Sequence, residues 1–192
     1  MEPIEIIAQI IGIFGMTVNL LAYQQKKQFN LILFQFFGSG LFFLNFLLLG
    51  IADGVIYIGA IMNLLGMFRS AVFANKKFFH SDKPFWIAIF SVFYIVAYVL
   101  VFTVFGTEAT PKNLIIEFIP VFAMIAGTLV VYMKNAGAAR KLSLISSPSW
   151  LVYDIAAGSL GGTIGEMLNI CSIFIGMLRH DRKAKGEVSD EK

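Results

Sequence analysis

Residues 164–169 read IGEMLN and residues 58–63 read IGAIMN, so a Gly is followed four residues later by an Asn in two apolar stretches 106 positions apart. The later copy adds a carboxylate, Glu166. A polar side chain without a partner is costly in hydrocarbon, so each of these residues must face protein or water if the stretches cross a membrane. The pattern predicts an internal repeat with polar residues directed to its interior.

The composition is that of an integral membrane protein. Of 192 residues, 58% are hydrophobic and 14% are charged, whereas about a quarter of the residues in a soluble domain carry charge. A span needs roughly 20 apolar residues, so the length allows about seven spans joined by short turns. The single cysteine, Cys171, excludes a disulfide framework. The net charge of +3 is spread over short turns, which argues against nucleic-acid binding.

Seven long apolar stretches, each bounded by polar turns, predict seven membrane-spanning helices. They cover residues 4–23, 30–50, 54–74, 85–106, 113–133, 142–157 and 160–178. The sixth stretch is the shortest and contains Pro148, but the charge alternation requires it. Glu2 and Glu5 stand where a secretory signal would carry Lys or Arg, so we expect the first stretch to be a retained span.

The Lys and Arg residues alternate between the turns that join these stretches. Fourteen of the fifteen fall in the first, third and fifth turns or in the tail. They are Lys26, Lys27, Arg69, Lys76, Lys77, Lys83, Lys134, Arg140, Lys141, Arg179, Arg182, Lys183, Lys185 and Lys192. Only Lys112 lies in the other set of turns. Because cations beside membrane spans concentrate in the cytoplasm, the N-terminus is predicted outside and the C-terminus in the cytoplasm.

The first three predicted helices match the last three, which leaves the fourth as a linker. In each half the first helix ends in Tyr before a basic turn, the second ends in Gly, and the third carries the Gly-to-Asn element followed by GMFR or GMLR. Because the linker is a single helix, the last three helices cross the membrane in the same directions as the first three. The two halves are therefore parallel.

The predicted fold is therefore an all-α integral membrane protein whose seven transmembrane helices form two parallel triple-helix bundles joined by a linker helix. The expected divisions are a first bundle at 1–79, a linker helix at 80–110, a second bundle at 111–180 and a charged cytoplasmic tail at 181–192.

This layout resembles that of the SWEET sugar transporters and the related PQ-loop proteins. WLVY at 150–153 is similar to their Trp, two residues, Tyr element, and Asn63 with Gly66 is similar to their Asn, two residues, Gly. The resemblance implies a pocket between the bundles that opens alternately to each side. The Pro-Gln pair of PQ-loop proteins is absent, and only Pro120 and Pro148 stand where hinge prolines could act.

A second resemblance covers AGSLGGTIGEML at 157–168, which is followed by an apolar span and a basic tail. This stretch resembles the YgjV family of small bacterial inner membrane proteins. The resemblance implies a multi-pass protein of the bacterial inner (plasma) membrane, and it implies no activity.

The repeated asparagines are candidate solute ligands. Asn63 and Asn169 occupy equivalent places in the two halves, so both are expected to face the axis between the bundles. An Asn amide offers donors and an acceptor, which suits a solute with hydroxyl or amide groups. The alternative is that each Asn bonds a neighbouring helix.

Two carboxylates accompany them. Glu166 lies three residues before Asn169 and shares its helical face. A carboxylate at span depth costs roughly 2.5–3.5 kcal/mol, so we expect Glu166 to bind a cation, a proton or the amine of a solute. Asp154 either lines the pocket or lies at the hydrated outer interface. Glu117 is expected to cap a helix or to be hydrated.

Aromatic and amide side chains complete the set of candidates. Trp150 and Tyr153 share a helical face and could form a wall against a sugar ring or nucleobase, although aromatic residues also line membrane interfaces. Asn19, Asn45 and Gln35 are predicted to be packing contacts.

The leading hypothesis is a SWEET-like transporter or facilitator of a small polar solute, with membrane lipids as neighbours and a homo-oligomer as an open alternative. The rival is a receptor or scaffold that binds a peptide, lipid or partner subunit without transport. No catalytic arrangement, metal-ligand spacing or cofactor motif is visible in the sequence, so we expect neither an enzyme nor a cofactor.

Overall fold

The computed structural model describes residues 3–23, 25, 28–133 and 136–178. These residues form eight helices and no strand, which confirms the all-helical prediction for the described part of the chain. The helices are α1 (Pro3–Tyr23), α2 (Gln28–Asp53), α3 (Ile58–Ala74), α4 (Lys76–Phe79), α5 (Phe85–Thr103), α6 (Pro111–Tyr132), α7 (Ala136–Ala156) and α8 (Leu160–Gly176). The predicted tail at 181–192 lies outside the described residues, as do Lys26, Lys27, Lys134 and Arg179.

Two helices begin four or more residues away from the start of the apolar stretch that predicted them. α3 begins at Ile58, four residues late, because Gly54 has φ +68° and the Val55 N–H donates to the Gly50 carbonyl at 2.9 Å, which closes a turn. α7 begins at Ala136, six residues early, and continues through Pro148. The Ser143 hydroxyl donates to the Ala139 carbonyl at 2.9 Å, so a polar side chain of α7 is satisfied within the helix.

Four helices of the described residues, α1, α2, α5 and α6, are long and apolar enough to cross a membrane. α3 and α8 are apolar but contain 17 residues each. α7 has 21 residues and carries Arg140, Lys141 and Asp154. Many large apolar side chains are exposed, including Phe14, Phe93, Ile115 and Ile175. The outer surface is therefore suited to lipid. α7, the helix with charged residues, needs contacts with other helices to cover its polar side chains.

Six of the helices form a ring. α1 packs on α2, α2 on α3, α3 on α6, α6 on α7, α7 on α8, and α8 on α1. α5 lies outside the ring against α3 and α6. The contact of α1 with α8 depends on glycine, because a Cβ atom at Gly161 would collide with the backbone of Gly12. α3 and α8, which carry the repeated Gly-to-Asn element, therefore occupy opposite positions in the ring.

Hydrogen bonds join the two halves of the chain at the end of the ring where α3 and α8 begin. We call this end of the ring the clasped end. It is formed by Gln9, Asn45, Glu117, Tyr153 and Ser159. On the α8 side, the Leu160 N–H donates to Gln9 Oε1 at 3.0 Å, and Gln9 Nε2 donates to the Gly158 carbonyl at 3.1 Å. Asn45 Nδ2 donates to the Ala8 carbonyl at 2.7 Å, and its Oδ1 accepts from the Ser159 hydroxyl at 2.9 Å. Asn45 is thus a packing contact, as predicted.

The start of α3 is held in a related way. The first N–H groups of a helix lack partners within it, and Tyr57 at the N-cap provides no side-chain bond. Glu117 accepts a hydrogen bond from the Ile58 N–H, and the Tyr153 hydroxyl accepts from the Gly59 N–H at 2.9 Å. Glu117 therefore caps a helix, one of its two predicted roles.

The two sides of the clasped end follow the internal repeat. Gln9 and Glu117 are 108 residues apart, as are Asn45 and Tyr153, and the first member of each pair serves the start of α8 while the second serves the start of α3. Each third helix is consequently anchored by the first and second helices of the other half.

Candidate functional site

A polar cavity of about 80 Å³ lies at the centre of the ring. This volume accommodates several water molecules or a small solute. Its polar lining residues are Asn19, Gln35, Ser39, Asn63, Arg69, Ser143, Ser146, Ser147, Asp154, Glu166 and Asn169. Phe42, Phe46, Met124 and Trp150 are among its apolar and aromatic lining residues. All six helices of the ring contribute to the walls.

Five of the six predicted site residues line this one cavity: Asn63, Trp150, Asp154, Glu166 and Asn169. Tyr153 does not line it. Its ring is buried 5.7 Å from the Phe46 ring and 5.9 Å from the Trp150 ring, centroid to centroid, while its hydroxyl binds the start of α3. Trp150 and Tyr153 contact each other edge to face, but only Trp150 faces the cavity.

Neither asparagine bonds a neighbouring helix among the described residues. Asn63 Nδ2 donates to the Gly59 carbonyl of its own helix at 2.9 Å. Asn169 is 2% exposed and hydrogen-bonds Glu166 in α8, while its Oδ1 has no partner. Asn63 is the sixth residue of α3 and Asn169 the tenth of α8, so the two amides are offset by about one helical turn relative to the helix starts.

The carboxylates occupy one wall of the cavity, on α7 and α8. Glu166 is hydrogen-bonded by Ser147 and Asn169, and its Oε2 has no partner. Asp154 is 3% exposed, so it is buried in the protein and not at a hydrated interface. Gly162 provides its space, because a Cβ atom there would collide with the Asp154 carboxylate.

Arg69 is the one charged lining residue of the cavity, among the described residues, that the sequence analysis did not place there. It was grouped with the cytoplasmic turns, yet it is 6% exposed and lines the cavity. Its guanidinium hydrogen-bonds the Tyr94 hydroxyl and lies 3.9 Å, Nη1 to Sδ, from Met124. Gly127 leaves room for it, since a Cβ there would be 3.0 Å from Nη1. The available signal was its position five residues before the end of α3, where an Arg is costly in a membrane.

Asn19, which was predicted to be a packing contact, lines the cavity, and so does Gln35, for which the same prediction was made. Together with Arg69, Glu166 and Asn169, Gln35 carries a buried polar atom that has no hydrogen-bond partner. The four atoms are Gln35 Oε1, Arg69 Nε, Glu166 Oε2 and Asn169 Oδ1. Most buried polar groups are paired, so four unpaired atoms around one cavity leave hydrogen-bonding capacity for a guest molecule.

The described residues hold no group of three or more His, Cys, Asp or Glu side chains arranged to bind a metal ion. The charged groups that face the cavity are therefore one guanidinium and two carboxylates, which suit hydrogen bonding and ion pairing with an organic solute.

The family model Imp-YgjV, described as a bacterial inner membrane protein, matches residues 6–184. No curated protein and no solved structure matches the chain. The match covers nearly all of α1 and the whole of α2 to α8, and its description gives a membrane and no activity.

Proposed function

We propose that the chain, which belongs to the Imp-YgjV family of bacterial inner membrane proteins, carries a small polar solute across that membrane through the cavity of its helix ring. The observation that supports this most is the set of four unpaired polar atoms on Gln35, Arg69, Glu166 and Asn169, buried around one cavity. A buried group without a partner costs about 1–3 kcal/mol, so a purely structural protein would gain by replacing it.

The proposed architecture is the SWEET-like one. α1–α2–α3 and α6–α7–α8 form two parallel triple-helix bundles, α5 is the linker, and these seven helices all cross the membrane. The proposed N-terminus is outside and the C-terminus is in the cytoplasm, on the basis of the Lys and Arg alternation. The order of contacts around the ring and the 108-residue spacing of the clasped-end residues support two related halves.

Within the cavity, Asn63 and Asn169 bond the solute, and Trp150 packs against it. Glu166 and Asp154 bind its positively polarised groups. Tyr153 is not one of the proposed solute contacts, because its hydroxyl bonds the Gly59 N–H at the start of α3. It fixes the wall behind Trp150 and does not touch the solute.

Alternate exposure requires the clasped end to open. In the proposed orientation this end faces outside, and the bonds of Gln9 and Asn45 to the α7–α8 turn hold it shut. Movement of one bundle against the other would break these bonds and expose the cavity. The close contact between Gly12 and Gly161 also joins the halves at this end, so opening it must separate α1 from α8 as well as break these hydrogen bonds.

Flux measurements on purified protein in sealed vesicles test this proposal. Uptake of labelled sugars, nucleosides, amino acids and amines would be compared between the native protein and an Asn63→Ala/Asn169→Ala double variant. We expect at least one solute to enter with the native protein and uptake to be lost in the variant. Asn75→Ala is the matched control, because Asn75 is exposed and its side chain bonds only the Ala71 carbonyl at the end of α3. Binding without flux for every solute would favour a receptor, and unchanged uptake by the double variant would reject the site.

A further inference from the structure

The cavity carries opposite charges on opposite walls. Arg69 belongs to α3 and Glu166 to α8, and these two helices lie across the ring from each other. Arg69 is eleven residues after the start of α3 and Glu166 six residues after the start of α8, so Arg69 is about 7.5 Å deeper relative to its helix start. The cation and the anion are thus separated both across the cavity and along it.

The two charges do not neutralise each other. Among the described residues Arg69 forms no ion pair; its guanidinium contacts are the Tyr94 hydroxyl and the Met124 sulfur, both uncharged, and its Nε has no partner. Glu166 is bonded by the neutral Ser147 and Asn169, and its Oε2 has no partner. A buried charge held only by neutral groups is strongly destabilising, and an ion of opposite sign removes most of that cost.

Resting on the proposed transport function, we propose that the solute is a small zwitterion, with its anionic group at Arg69 and its ammonium group at Glu166. A planar guanidinium matches a carboxylate in shape and hydrogen-bonding pattern. The ammonium group, with three donors, matches the free Glu166 Oε2 and the free Asn169 Oδ1 on the same face of α8.

Solutes with a single charge or none fit less well. A neutral polyol would leave Arg69 and the carboxylate wall of Glu166 and Asp154 without a counter-ion, an anion would leave the carboxylate wall, and a cation would leave Arg69. Only a solute with both charges satisfies the two walls at once. The cavity volume of about 80 Å³ restricts the choice to small molecules such as short amino acids.

The inference is tested by binding and flux with a matched set of small molecules. Glycine, alanine, β-alanine and 4-aminobutanoate vary the spacing of the two charges. Alaninamide removes the negative charge of alanine, lactate replaces its ammonium by a hydroxyl, and erythritol carries neither charge. Binding to detergent-purified protein is followed by calorimetry, and uptake into sealed vesicles by radiolabel. We expect at least one zwitterion to bind and move, and each singly charged analogue to bind at least about tenfold more weakly.

Variants of the two residues give a cross-check. Arg69→Gln should weaken binding of the zwitterion and leave alaninamide unaffected, while Glu166→Gln should weaken the zwitterion and leave lactate unaffected. Arg69→Lys keeps the positive charge and should restore part of the zwitterion affinity. Lys112→Gln and Glu108→Gln remove the same charges from exposed positions and should change nothing.

The outcomes separate the inference from the function on which it rests. If erythritol or a sugar binds and moves while every zwitterion fails, the transport proposal stands and the zwitterion assignment is overturned. If lactate binds as tightly as alanine, the pairing with Glu166 is wrong. If no solute of any class binds or moves, both proposals fail together.

Discussion

The clasped end and the central cavity differ in how their hydrogen bonds are satisfied. At the clasped end, Asn45 uses both polar atoms of its amide, Gln9 does the same, and the Tyr153 hydroxyl binds a backbone N–H, while Glu117 retains one buried atom, Oε2, with no partner. In the cavity below, Arg69 and Glu166 each retain a buried atom with no partner. The two regions lie in one ring of helices, and both contain buried polar residues, such as Asn45 at the clasped end and Asn169 in the cavity.

This difference separates structural from functional polar residues. A polar group that only joins helices gains nothing from spare hydrogen-bonding capacity, and pairing it fully removes its desolvation cost. A group that binds a guest must keep that capacity free until the guest arrives. We therefore expect substitutions at the clasped end to change stability, and substitutions in the cavity to change binding.

The largest effect is expected from Gly161→Ala. The new methyl group would collide with the backbone of Gly12, and backbone can yield only if α1 and α8 separate. We expect a loss of about 3 kcal/mol in the free energy of unfolding, measured by titration with SDS in mixed micelles. Gly40→Ala is the control, because its methyl group meets the flexible Met67 side chain. An equal loss for both variants would show that helix contact is not the cause.

Asn45→Ala should come next. It removes a donor to the Ala8 carbonyl and an acceptor for the Ser159 hydroxyl, both at buried sites. The expected cost is about 2 kcal/mol of unfolding free energy. The folded fraction should bind the solute with unchanged affinity. If the variant folds normally but no longer binds the solute, the assignment of stability to the clasped end and binding to the cavity is wrong.

Tyr153→Phe should have a smaller effect. The ring packing on Phe46 and Trp150 is retained, while the Gly59 N–H at the start of α3 loses its acceptor. The expected loss is about 1 kcal/mol of unfolding free energy with unchanged binding. In contrast, Trp150→Ala should reduce solute binding. If Tyr153→Phe reduces solute binding more than Trp150→Ala does, Tyr153 is a solute contact after all.

Gln35→Met should have the smallest effect on stability. Its Oε1 has no partner, so an apolar side chain of similar length is expected to leave the free energy of unfolding within about 0.5 kcal/mol. Binding should weaken because one acceptor is lost from the cavity. A destabilisation as large as that of Asn45→Ala would mean that Gln35 is a packing residue, as the sequence first suggested.

The sequence predicted the features that depend on composition and spacing. Apolar runs located the helices, and the repeated Gly-to-Asn element pointed to residues that line one cavity. The sequence did not predict which side chains face the cavity where this depends on the rotation of a helix about its axis. Trp150 and Tyr153 are three residues apart, but only one faces the cavity. Arg69 looked like a turn residue because nothing local shows that α5 and α6 cover it.

A thermal-shift screen of detergent-purified protein against sugars, nucleosides, vitamins, amines and amino acids, run beside the Asn63→Ala/Asn169→Ala variant, tests whether the cavity holds a solute. A ligand at a hundredfold above its dissociation constant adds about 2.7 kcal/mol to stability. We expect one class of compound to raise the melting temperature of the native protein and not that of the variant. Equal shifts in both proteins, or none in either, would contradict a solute-binding role for the cavity.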